Sequence, residues 1–141
     1  MDEFDKWARE MEQKIMEEVE KTYSPIVIKE WLNPSNIGKI EFNAHAIITG
    51  TCGDTMEMYL NIEDGIIKDA SFLTDGCGAT IACGSMLTKL IKGSSVEEAK
   101  NLDSDFLIKK LGGLPEENIH CATLATLTLK KAIENFEENE R

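Results

Sequence analysis

Cys52-Gly53-Asp54, Gly76-Cys77-Gly78 and His120-Cys121 are the runs of this chain whose residue types and neighbours could do chemistry. Thiolates are soft metal ligands, and here they stand beside glycines, a carboxylate and an imidazole that add a harder, more exchangeable donor. The remaining cysteine, Cys83, completes no Cys-x-x-Cys pair. A site would therefore consist of three thiolates plus Asp54, His120 or an outside group, an arrangement suited to holding metal without keeping it.

Three separate elements must bring these residues together. Phe4, Trp7, Met11, Ile15 and Val19 recur at helical steps, which predicts an amphipathic helix over about residues 2–21. Docking of that stripe on its own domain is the default expectation, with a second copy or a partner as alternatives. Ser24-Pro25 opens a short helix that ends before Asn33-Pro34. Residues 44–49 suit a strand, Met56, Met58, Leu60 and Ile62 alternate as the core face of a second, and Asp64-Gly65 turns the chain into a third over 66–73. Helices are expected over 79–91, from Ser95 with Glu98 as capping box, over 103–111, and over 121–136 with Leu124, Leu127 and Ala132 inward. The fold class is α+β: a three-stranded antiparallel sheet with helices packed on one face, plus an extra N-terminal helix.

On this map Cys52 lies in the loop between the first two strands, Cys77 between the third strand and its helix, and Cys121 at the start of the last helix. Element ends on a rigid scaffold can converge, so their sulfurs are expected within roughly 3.5 to 7 Å of one another. The helix start should lower the pKa of Cys121, and the glycines around Cys77 should let backbone approach a bulky group. Cys83 and Met56/Met58 read as core, with an extra ligand or disulfide partner as the other reading of Cys83; His45 reads as surface or packing.

The chain has 141 residues, enough for one self-sufficient core, and Lys+Arg 15 against Asp+Glu 26 gives a net charge of −11. That charge repels a phosphate backbone, so nucleic acid is not expected as a partner. No apolar run resembles a signal peptide or a membrane span, so no membrane association is expected. A cytoplasmic location with reduced thiols is therefore expected, rather than two disulfides.

Cys52-Gly53-Asp54, the run Thr74-Asp75-Gly76-Cys77-Gly78-Ala79-Thr80-Ile81-Ala82 and Leu114-Pro115 leading to Ile119-His120-Cys121 closely resemble the U-type iron–sulfur cluster assembly scaffolds, IscU and the N-terminal domain of NifU. The resemblance runs from about Tyr23 to Ile133 and includes Trp31-Leu32-Asn33-Pro34. It implies a scaffold domain over residues 23–141 behind an extension over 1–22. It also implies a carrier rather than an enzyme, on which a [2Fe-2S] cluster is built from iron and desulfurase-derived persulfide sulfur and passed to apo-proteins. Cys52, Cys77 and Cys121 would be cluster ligands, Asp54 or His120 the exchangeable fourth, and Cys121 the sulfur acceptor. A cysteine desulfurase, apo iron–sulfur proteins and an iron or electron donor would be partners, and a homodimer could bridge one cluster.

The chain departs from the pattern at Cys83, where the family usually has serine. It also reads Leu114-Pro115-Glu116-Glu117-Asn118 where the family has the Leu-Pro-Pro-Val-Lys segment read by an Hsp70-type chaperone, which weakens the expectation of that partner. The N-terminal helix is longer than usual, and the further domains of full-length NifU are not expected after the last helix. The runner-up function is a zinc-bound sulfur acceptor that activates a desulfurase, as in the SufU relatives. The absence of their insertion between the second and third ligands favours the scaffold.

Overall fold

The computed structural model describes residues 2–139, so the first residue of the 1–22 extension and the last two of the 23–141 domain lie outside it. Helix α1 (Glu3–Thr22) begins where the Asp2 carboxylate accepts from the Asp5 amide at 2.9 Å, and α2 (Pro25–Leu32) where the Ser24 hydroxyl accepts from the Val27 amide at 3.1 Å. In both, the side chain satisfies an amide that the first helical turn leaves without a partner. Strands β1 (Ala44–Thr49), β2 (Thr55–Glu63) and β3 (Ile66–Thr74) form one antiparallel sheet in the order β1-β2-β3. The β2–β3 turn sets Asp64 at φ 53° and Gly65 at φ 74°, the left-handed pair that a two-residue hairpin of matching twist requires.

Before β1 the chain makes a strap. Asn36 and Gly38 bond to both backbone groups of Phe72 on β3, and Asn43 then bonds to Leu60 on β2, carrying residues 39–42 from one edge of the sheet to the other. Tyr59 and Ser71 are buried on the sheet's outer face, where Phe42 packs on Tyr59 and His45 stacks on it at 4.8 Å. His45 is a packing residue, half-buried, with its Nε2 2.8 Å from Glu57 Oε1.

The inner face carries Met56, Met58, Leu60, Ile67 and Phe72, and all five are fully buried. Two long helices cover it: α3 (Gly78–Ile91) against β3, and α6 (Ile119–Asn139) across β1 and β2. Between them run α4 (Val96–Lys100), capped by Ser95 on the Glu98 amide at 3.1 Å, and α5 (Ser104–Lys110), capped by Asp103 on Phe106 at 2.9 Å. Buried Glu30 of α2 pairs with Lys89 of α3 and accepts from Ser85, tying α2 to α3. Among the described residues no helix is long and apolar enough to cross a membrane.

Two packing expectations are overturned. Leu127 is half-exposed rather than inward, because the buried face of α6 runs through Leu124, Thr128, Leu129, Ala132 and Ile133. The stripe of α1 does not dock on its own domain: no residue of α1 is buried, and Phe4, Trp7 and Ile15 remain 69%, 56% and 58% exposed. Beyond its C-terminal end, Tyr23 packs edge-on to Trp31 at 6.3 Å.

Candidate metal centre

The two loops that carry candidate ligands are short and are held by hydrogen bonds to themselves and to the sheet. The β1–β2 loop closes with Gly50 N to Asp54 O at 2.8 Å and Gly53 N to Gly50 O at 3.0 Å, with Gly53 at φ 92°, a conformation that favours glycine. This puts Cys52 at an exposed tip and Asp54 half-buried beneath it. The loop after β3 is fastened to the start of β2: the Thr55 amide donates to Asp75 Oδ1 at 2.8 Å, and the Thr74 hydroxyl donates to Thr55 O at 2.6 Å. Cys77 then occupies the N-cap of α3. A 3-10 turn (Glu116–Asn118) leads directly into α6, so Cys121 is its third residue and is fully buried.

These elements bring together all five residues singled out from the sequence. Ligand atoms of Cys52, Asp54 and His120 lie within 4.8 Å of one another, and so do those of Asp54, Cys77 and Cys121. The two trios meet at Asp54. Ligands about 2.3 Å from a shared tetrahedral metal sit about 3.8 Å apart, so either trio fits a metal after small side-chain movements, and both together span more than one ion. Three sulfurs, a carboxylate and an imidazole form a donor set for zinc, iron or an iron–sulfur cluster, unlike the all-oxygen sets of calcium and magnesium. Cys83 is fully buried, and its thiol is pushed up by burial and then by the charges of Cys121 and Cys77, as befits a core residue.

The electrostatics reverse one expectation. The start of α6 was expected to lower the Cys121 thiol, yet burial pushes it up to about 11, against a hydrogen bond from Thr80 and with a further push up from Cys77. Burial also raises Cys77, but the backbone amides of Thr80 and Ala79 and the Thr80 hydroxyl outweigh it and leave Cys77 below its ordinary value. The helix start does lower a thiol, but the thiol is the one at the N-cap of α3. The glycine after Cys77 also has another cause: a side chain at Gly78 would run into the Trp31 indole, so its absence lets α2 close against the loop.

Thr80 is a residue of the candidate site that residue-type reasoning missed. It is fully buried, and its hydroxyl lies 3.1 Å from Asp54 Oδ2, 3.3 Å from Cys121 Sγ and 3.6 Å from Cys77 Sγ. The available signal was its position three residues after Cys77, one turn along the same helix face. Asn118 is a second such residue. Its side-chain Oδ1 accepts from the Tyr23 hydroxyl at 3.3 Å, and a hydrogen bond from the same side chain helps to lower Cys121.

Known proteins resemble both the sequence and the fold. The family model of the NifU-like N-terminal domain matches residues 22–141. The chain is 41% identical over 117 residues to "Iron-sulfur cluster assembly scaffold protein IscU 1" of Archaeoglobus fulgidus, covering 81% of this chain and 76% of that one. It is 38% identical over 122 residues to "Iron-sulfur cluster assembly scaffold protein IscU" of Rickettsia prowazekii, covering 82% and 92%. The crystal structure of an N-terminal NifU-like protein from Brucella abortus superposes with a TM-score of 0.66 at 22% identity over 85% of this chain and 97% of that one, a likeness of fold. With its sheet, its helical layer and its cysteine-bearing loops in the expected order, the chain belongs to the NifU-like N-terminal domain family.

Proposed function

We propose that this protein is a scaffold on which a [2Fe-2S] cluster is assembled from iron and desulfurase-derived persulfide sulfur, and from which the cluster passes to apo-proteins. The observation that carries this reading is the pair of ligand trios overlapping at Asp54. Two irons bridged by sulfide need adjacent donor sets of thiolate character, and one exposed cysteine stands on each side of Asp54. The names of the relatives, assembly scaffolds rather than enzymes, support a carrier role. Cys52, Cys77 and Cys121 act as ligands over residues 23–141, with Asp54 or His120 as the exchangeable fourth.

Persulfide sulfur must gain two electrons to become sulfide, so assembly draws on an electron donor as well as an iron source and a desulfurase. The family resemblance assigns the first sulfur to Cys121. Burial and the raised thiol of Cys121 favour Cys77, exposed and lowered, as the point of entry. Free thiols suit a reducing, cytoplasmic setting.

Anaerobic incubation with iron, cysteine and a desulfurase is expected to load iron and acid-labile sulfide in equal amounts, with peptide mass analysis locating the first added sulfur. Zinc retained without sulfide would overturn the scaffold reading in favour of a zinc-bound sulfur acceptor. A carboxylate is a harder ligand than a thiolate, so Asp54→Ala is expected to slow cluster transfer to an acceptor and lengthen cluster lifetime. Transfer at the wild-type rate would remove Asp54 from that role.

A further inference from the structure

Buried threonines in helices ordinarily satisfy their hydroxyls locally, by donating to the carbonyl one turn back. Three in this fold do so: Thr88 to Gly84 O at 2.8 Å, Thr126 to Ala122 O at 3.1 Å and Thr128 to Leu124 O at 2.7 Å. Thr80 makes no such bond. Its hydroxyl is aimed instead at Asp54 Oδ2, Cys121 Sγ and Cys77 Sγ, the three ligand atoms of one trio. The side chain is also walled in, because a Cβ at Gly76 would stand 2.7–2.8 Å from three of its atoms. A hydroxyl has one proton and two lone pairs. Facing a carboxylate and two sulfurs, it donates to one of them while its lone pairs can accept from a thiol S–H. An ionised carboxylate is the stronger acceptor of the set.

We propose that Thr80 is a positioning residue of the ligand site, its hydroxyl holding the Asp54 carboxylate against the Cys77–Cys121 pair before metal arrives and remaining as a donor to that carboxylate or to the Cys121 sulfur afterwards. This rests on the reading of Cys52, Asp54, Cys77 and Cys121 as metal ligands. Thr80 itself binds no metal. It fixes the direction of a carboxylate that would otherwise swing on its loop, and a hydrogen bond to a ligand sulfur withdraws electron density from it.

Cobalt(II) alone is the probe, because its thiolate bonds absorb in the near ultraviolet and its tetrahedral form in the visible. The anaerobic wild-type protein is titrated beside Thr80→Val, which keeps the shape and loses the hydroxyl, and Thr80→Ser, which keeps the hydroxyl. Thr80→Val is expected to bind cobalt about tenfold more weakly, the lower end of the 10–100-fold range for such supporting residues. Its sulfur-to-cobalt band should move to longer wavelength, with Thr80→Ser returning both affinity and band toward wild type. Wild-type affinity and an unshifted band in Thr80→Val would overturn the proposal. If thermal unfolding shows that Thr80→Val does not fold, Thr80→Ser against Thr80→Ala decides in the same way, since those two differ only by the hydroxyl. Failure of the wild-type protein to bind cobalt through sulfur would instead overturn the ligand assignment on which the proposal rests.

Discussion

Helices α1 and α6 are nearly equal in length, 20 and 21 residues, and both carry apolar residues at helical spacing, yet α1 has no buried residue while α6 buries nine. The difference is one of position. Helix α6 lies across β1 and β2, with α3 and α5 on its flanks, so its apolar side meets an apolar surface along most of its length. Helix α1 packs on α2, and its stripe from Phe4 to Ile15 stays exposed among the described residues. An apolar stripe states that a helix has a face to cover, and the connections around it decide whether this chain supplies the cover.

The largest test of this contrast is a pair of truncations. Leu129→Ala removes a fully buried α6 side chain and is expected to cost about 2–5 kcal/mol in urea unfolding, whereas Ile15→Ala on α1 should change stability by less than about 0.5 kcal/mol. Equal losses at the two sites would mean that α1 is docked in solution.

Next comes the titration of Cys121 at the buried start of α6. The folded, metal-free protein holds its thiol protonated up to about 11, against an ordinary 9.0. Because folding favours the protonated form, stability is insensitive to this group below about pH 9 and falls between there and about 11, by roughly 1–3 kcal/mol. Replacing Cys121 by alanine should make that decline shallower and leave the part due to Cys83, whose thiol burial also raises. At neutral pH iodoacetamide should label Cys77 and Cys52 well before Cys121 and Cys83, since the first two are exposed and Cys77 is lowered. Early labelling of Cys121 would show that the β1–β2 loop opens.

The smallest expected effect is the sharpest for α1. Deleting residues 1–21 should leave the unfolding free energy within about 0.5 kcal/mol of the full chain, because no burial is lost within the domain. A fall of more than 1 kcal/mol would show that the stripe has a partner surface that this fold does not display.

Much of this architecture was legible in the sequence because it rests on local rules. Ser24, Ser95 and Asp64-Gly65 act through hydrogen bonds and dihedral preferences within a few residues, and the alternation of Met56, Met58 and Leu60 is a property of one strand. The order of the three cysteine loops was readable in the same way, since each loop is the end of a readable element. Leu127 shows where such reasoning stops. It follows Leu124 by three residues, but the side of α6 that is covered runs through Leu124, Thr128 and Leu129, which leaves Leu127 half-exposed.

The sequence by itself therefore determined the element types, the antiparallel sheet, the family and which residues are candidate donors, all of which depend on residue identity and short-range spacing. The tertiary structure decided which cysteine is buried and which caps a helix, and so which thiol is lowered, because desolvation and the direction of backbone amides are properties of three-dimensional surroundings. It also decided that the α1 stripe stays exposed and that the Thr80 hydroxyl points at three ligand atoms from 26 to 41 positions away or one helical turn back. Contacts between residues distant in the chain are set by how whole elements pack, and no local pattern records them.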